Sequence, residues 1–288
     1  MSLQIALGTN LIIGATAPIV LKLVAGRLPK AQALSLQFLI CAVLIWLFGL
    51  ATGNFQPSSE MIIIATVGFV NAFGAFCQWQ AIDLSMSKTY LLAPLAQILT
   101  VFLASTFLNE VAKWNIPLIM GITLSFLGVF VFVISRAGIK KENKNNNIKK
   151  WLFFVSAMII IFGTASFLMK VFSFSVPRTS FLISWYTGAF LGSLSILYSS
   201  KQNFFKYPGK TIFLVPLASL AILSYLATEY WAFELALASQ VAPFQAVAGT
   251  FAPLLSGWFI FKERKGLSKK EMLAFATGIV GALLIILA

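Results

Sequence analysis

The chain has 288 residues, of which 59% are hydrophobic and only 10% charged, and it carries a net charge of +13. That balance excludes a soluble globular domain, which needs far more charge on its surface. The absence of histidine removes the commonest metal ligand and proton shuttle.

Apolar blocks of about 20 residues, the length a helix needs to cross about 30 Å of hydrocarbon, follow one another along the chain. They run at 3–24, 31–52, 60–84, 89–108, 115–135, 151–172, 179–199, 211–237, 240–261 and 271–288. The blocks predict an all-α integral membrane protein with ten transmembrane helices and no room for a soluble domain. Backbone polar groups in hydrocarbon must be paired within the chain, and continuous rather than alternating blocks exclude a barrel. The N-terminus lacks the basic region of a cleaved signal peptide, so the first block is expected to be a retained span. Cys41 and Cys77 fall inside predicted spans and are expected to behave as small apolar residues.

The basic residues alternate between loops. With the flanking helix ends, the odd-numbered loops hold eighteen of the 21 lysines and arginines; the even-numbered loops hold Lys113, Lys170 and Arg178. By the positive-inside rule the odd loops are expected in the cytoplasm of a cell (inner or plasma) membrane, with both termini outside. Residues 139–150 form the most polar connection and are expected to be a flexible basic linker at anionic head groups. No aromatic residue is interleaved with its lysines, which argues against a nucleic-acid partner.

The chain repeats itself. Gln-Trp-Gln-Ala-Ile-Asp-Leu-Ser at 78–85 returns as Glu-Tyr-Trp-Ala-Phe-Glu-Leu-Ala at 229–236, and Lys22, Pro29 and Lys30 return as Lys170, Pro177 and Arg178. Asn109-Glu110 and Lys262-Glu263, and Gly128 and Gly281, echo in the same order. Residues 1–138 and 151–288 thus read as two five-helix repeats. An odd number of spans per copy forces the copies into opposite orientations, and inverted repeats are the basis of alternating access, with the solute site near the midplane between them.

The residues Ala81-Ile-Asp-Leu-Ser, Leu92-Ala-Pro94, Leu108-Asn-Glu110 and Gly121…Gly128, with Ala232-Phe-Glu-Leu-Ala, Phe251-Ala-Pro253, Phe261-Lys-Glu263 and Gly278…Gly281, resemble two EamA-type repeats. The whole chain resembles an EamA-family member of the drug/metabolite transporter superfamily. The resemblance implies ten helices in two repeats, and transport of small organic metabolites such as amino acids, nucleosides and related compounds. Family members usually have glycine where this chain has Asn109 and Lys262, and commonly keep both termini in the cytoplasm.

Ionisable residues inside a membrane are costly and face a cavity or a partner. Glu229, deep in the eighth block, is the candidate for contact with solute or a coupling proton, and its repeat-mate Gln78 is expected across the midplane. Asp83 and Glu234 lie near span ends and are expected to pair with basic groups. Lys22 and Lys170 are expected to snorkel to the interface, or alternatively to hold a phosphate or carboxylate. Glu110 and Glu263 are expected in ion pairs with Lys113 and Arg264. Asn10, Thr16, Gln37, Asn71, Gln97, Tyr186 and Gln245 at mid-span either line a cavity or bond between helices, and Trp79, Trp185, Tyr186, Tyr225, Tyr230 and Trp231 are candidate stacking surfaces. Gly14, Gly163 and Pro18 fit close helix approach or a bend.

The expected function is secondary transport of a small polar metabolite by alternating access, with Glu229 the candidate for proton coupling. The alternative is an exchanger of nucleotide-linked or phosphorylated solutes that uses Lys22 and Lys170. No nucleotide-binding loop, cofactor or metal cluster is legible, and scattered acids without histidine argue against an intramembrane enzyme. The expected partners are the solute and the lipid bilayer, with the chain a monomer or homodimer.

Overall fold

The computed structural model describes residues 3–25, 28–110, 142–204, 214–262 and 268–287, with scattered helical positions between 116 and 131. In chain order the helices are α1 (Leu3–Ala25), α2 (Lys30–Thr52), α3 (Glu60–Leu84), α4 (Met86–Leu92), α5 (Pro94–Phe107), α6 (Glu142–Phe172), α7 (Arg178–Ser199), α8 (Leu214–Leu235), α9 (Ala238–Phe259) and α10 (Lys269–Leu287). There is no strand among the described residues. Among the described residues seven helices, counting α4 and α5 together, are long and apolar enough to cross a membrane.

Two expected elements differ. The single block at 89–108 is two helices divided at Ala93. Pro94 has no N–H for the carbonyl of Tyr90, and its ring crowds that oxygen. The chain tightens instead, with the Ala96 N–H donating to Ala93 O at 3.0 Å. Ala93 keeps helical angles (φ −52°, ψ −37°), so the path bends without reversing. The linker expected at 139–150 is helical from Glu142 onward, which makes α6 31 residues long. At 1.5 Å per residue that is about 46 Å, so its polar first turns extend an apolar span beyond the hydrocarbon. Adding turns to an established helix costs far less than nucleating one.

The two halves interleave. α1 packs on α8 and α9, while α6 packs on α3 and α5. α2 lies against α7, and α3 runs along α7 in the most extensive helix pair of the fold. Glycine permits that approach. A Cβ added at Gly68 would strike the Trp185 carbonyl, one at Gly188 the Ala65 carbonyl, and one at Gly192 the Phe69 carbonyl. Gly163 similarly lets α6 close on α5: an added Cβ would stand 2.7 Å from Ala96 O, and Thr100 Oγ1 donates to Gly163 O at 3.0 Å. Without a hydrophobic drive between helices in lipid, such close packing supplies the cohesion.

The helix ends are tied by charged side chains. Lys22 Nζ donates to the carbonyls of Ile82 (2.6 Å) and Asp83 (3.1 Å), the last turn of α3. Lys170 Nζ does the same for α8, through Phe233 O at 2.9 Å and Ala236 O at 2.8 Å. Each ammonium meets carbonyls that the helix leaves unpaired and the negative end of its dipole. Lys170 is only 3% exposed, so its expected snorkelling is corrected: the bonding partners lie inside the protein. Beside these caps, Lys30 Nζ pairs with Asp83 at 2.7 Å and Arg178 pairs with Glu234, as expected for those two acids.

Of the two expected ion pairs, Lys113, Glu263 and Arg264 lie outside the described residues, which leaves Glu110. Its Oε2 accepts from the Ala238 N–H at 2.7 Å and so caps α9, whose N-cap residue Leu237 offers no side-chain oxygen. Its Oε1 lies 3.8 Å from Lys170 Nζ. Asn109 and Lys262, just before the two glutamates, both have positive φ, 53° and 54°. This left-handed conformation favours glycine and tolerates asparagine, but it strains lysine.

Three stability changes are expected, each read by thermal melting of the purified protein in detergent. Gly188→Val should cost about 1–3 kcal/mol, since α3 and α7 must separate to admit the side chain. Glu110→Ala should cost about 3–5 kcal/mol, because it strands a buried cation and uncaps α9; a second change, Lys170→Met, should then cost less than it does alone. Lys262→Gly should stabilise by about 1 kcal/mol by releasing backbone strain.

Candidate functional site

A cavity of about 180 Å³ lies where α1 to α9 converge. From α1 it is lined by Gly14, Ala17, Pro18 and Leu21, and from the bend between α4 and α5 by Tyr90, Ala93, Pro94 and Gln97. Irregular backbone is tolerated at membrane depth where it lines a cavity, which is where the Pro94 interruption falls. Gly249 on α9 faces open space rather than a packed neighbour.

Of the residues predicted from sequence, Glu229, Gln78, Asn71, Gln97, Gln245, Tyr225, Tyr186 and Trp185 all line this cavity. They come from α3, α5, α7, α8 and α9, so the fold gathers them from both halves. Glu229 is 3% exposed, and Ser166 Oγ on α6 donates to its Oε1 at 3.0 Å. Gln78 Nε2 donates to Tyr90 Oη at 3.3 Å. Gln78 and Glu229, which the sequence echo aligns, therefore share one cavity, each held by a hydroxyl from another helix.

Four of the predicted polar and aromatic residues are elsewhere, among them Thr16, whose hydroxyl donates back to Ile12 O and Ile13 O of its own helix. Asn10 Nδ2 donates to Tyr225 O at 3.1 Å and Thr228 Oγ1 at 3.0 Å, binding α1 to α8. It is a helix–helix clamp outside the cavity lining. Trp231 is also outside the lining; Arg178 lies over its ring at 5.0 Å. Two residues after Glu229 is over half a helical turn, which carries its side chain to a different face. Tyr230 likewise packs away, with its ring stacked on Phe181 at 4.2 Å.

The lining also contains residues that spacing did not single out. Phe38, Tyr90 and Phe162, with Trp79, Trp185, Tyr186 and Tyr225, give the cavity aromatic walls. Tyr186 is oriented by donating Oη to Ile222 O at 3.1 Å. Ser166 could have been suspected as a hydroxyl at mid-span; Phe38 and Phe162 are indistinguishable in sequence from other apolar residues.

The polar groups of the cavity are incompletely satisfied. Gln37 Oε1, Gln97 Oε1, and both Oε1 and Nε2 of Gln245 are buried without a hydrogen-bond partner. Gln37 and Gln245 are each 2% exposed. Buried amides normally find partners, and leaving one unpaired costs about 1–3 kcal/mol. Four such atoms around one space mark it as a site for a polar guest, water or solute. Among the described lining residues Glu229 is the one acid, and none is a lysine or arginine. Lys22 and Lys170, the sequence candidates for anion capture, are outside this lining and serve the ends of α3 and α8.

No family model matches the chain, and no curated protein matches it. Solved structures do, in 22 chains. One of them, a crystal structure of a protein, aligns over 99% of this chain and 96% of its own with a TM-score of 0.64 and 18% sequence identity. At that identity the likeness speaks for the fold alone, and it covers both chains nearly end to end.

Proposed function

We propose that this protein is a secondary carrier of a small polar organic solute, an EamA-like member of the drug/metabolite transporter superfamily working by alternating access. The observation that carries the reading is the cavity: a buried acid and four unpartnered amide atoms, enclosed by helices from both halves of the chain. Solute sites at repeat interfaces near the midplane are the hallmark of inverted-repeat carriers.

Ten spans in two inverted repeats are supported by contacts that recur at the sequence offset. Lys22 on Ile82 O is matched by Lys170 on Phe233 O, and Lys30 with Asp83 by Arg178 with Glu234. Asn109 and Lys262 share one unusual backbone conformation. Under this pairing α3 corresponds to α8 and α2 to α7. The α3–α7 and α2–α8 interfaces are then equivalents, yet α2 meets α8 far less extensively. Where α7 has Gly188 and Gly192, α2 has Ile40 and Leu44 at the matching places. A tight seam on one side and a loose one on the other is what one end state of a rocking carrier requires. The distribution of basic residues supports an orientation with the odd connections in the cytoplasm of a cell membrane and both termini outside.

An exchanger of nucleotide-linked or phosphorylated solutes fits less well. Such a solute needs cations in the cavity, and Lys22 and Lys170 are committed to helix ends.

The test is flux into proteoliposomes. Wild-type flux should depend on pH, and Glu229→Gln should remove that dependence or lower the rate at least ~10-fold, as loss of a group acting on solute or proton does. Tyr90, Tyr186 and Tyr225 are the other titratable groups facing the cavity, so their phenylalanine variants serve as controls. Unchanged pH-dependent flux in Glu229→Gln would remove that residue from the mechanism.

A further inference from the structure

We propose that the cavity selects a small organic amine that carries no free carboxylate, so amino-acid zwitterions and organic acids are rejected. The inference rests on reading the cavity as a carrier's solute site, and it narrows that site to one chemical class.

Size sets the first limit. An apolar cavity of about 150 Å³ takes up benzene, so the present volume of about 180 Å³ suits one ring with a short polar arm. Charge sets the second. A carboxylate inside would be desolvated with no lysine or arginine among the described lining residues to meet it, and would face the carboxylate of Glu229. Removing a charge from water without a partner is strongly unfavourable. Lys22 and Lys170, outside the lining, hold the carbonyls of Ile82, Asp83, Phe233 and Ala236.

An ammonium group has a prepared place. Glu229 is fixed by Ser166 Oγ, and the walls include the rings of Trp79, Trp185 and Tyr186. Aromatic faces attract cations most strongly when desolvated. The rest of the solute meets neutral amides: Gln37, Gln97 and Gln245 present buried atoms without partners. Those atoms can bond a hydroxyl or carbonyl but cannot neutralise an anion.

Four solutes that share one ring separate these cases: tyramine (cation), tyrosine (zwitterion), phloretate (anion) and tyrosol (neutral). Titration calorimetry on the full chain in detergent should show tyramine binding at least ~10-fold more tightly than the other three, the discrimination a desolvated charge pair gives. Glu229→Gln should weaken tyramine at least ~10-fold and leave tyrosol unchanged. Counterflow of the same four solutes is measured in proteoliposomes. Tyrosine or phloretate binding as tightly as tyramine overturns the proposal, as does tyramine failing to bind. If Glu229→Gln does not fold, the wild-type series alone decides. Tyrosine or phloretate counterflow without tyramine counterflow would overturn amine selection and keep the carrier. Counterflow of none of the four would count against the carrier reading as well.

Discussion

Hydrocarbon supplies no hydrogen bonds, so backbone groups that a span leaves open within the membrane need partners from the protein. The described helix ends show how that is met. The carbonyls closing α3 and α8 are taken by Lys22 and Lys170, and the first N–H of α9 is taken by Glu110. Because each partner comes from a distant part of the sequence, satisfying the backbone also fixes where the spans sit. The cap on α9 joins the end of α5 to the second half of the chain, and Lys170 beside it ties α6 to α8.

Against that background the unsatisfied groups are informative. Of the six buried side-chain atoms without a partner among the described residues, four belong to Gln37, Gln97 and Gln245 around the central cavity. A fold that provides partners at its helix ends leaves amides unpaired where a guest can supply them. The bend at Pro94 belongs to the same logic, since the carbonyl it frees lies on Tyr90, a lining residue.

The close seam between α3 and α7 gives the fold its asymmetry. Backbone contact through Gly68, Gly188 and Gly192 admits no side chain between the helices, whereas Ile40 and Leu44 hold the corresponding positions in α2. The two seams therefore differ in chemistry. In the proposed inverted-repeat carrier this would bias the resting conformation toward the one with the glycine seam closed.

By itself the sequence determined the all-helical class, the length and order of the apolar blocks, and the acid–amide pair Gln78 and Glu229 at matched positions, because hydropathy and repetition are local properties that survive without knowledge of contacts. The resemblance to EamA-type repeats singled out Asn109 and Lys262 as places where glycine is usual, and both have left-handed backbone. Only the tertiary structure decided which polar residues face the cavity. Asn10 and Gln245 look alike as mid-span amides, yet one clamps α1 to α8 and the other lines the site beside Glu229. Trp231 turns to Arg178 while Trp185 turns inward. Lys170 looks like an interfacial lysine until the end of α8 is brought within reach of its ammonium. In each case the deciding quantity is the rotation of one helix against its neighbours, which depends on contacts between residues far apart in the chain and leaves no periodic trace in the sequence.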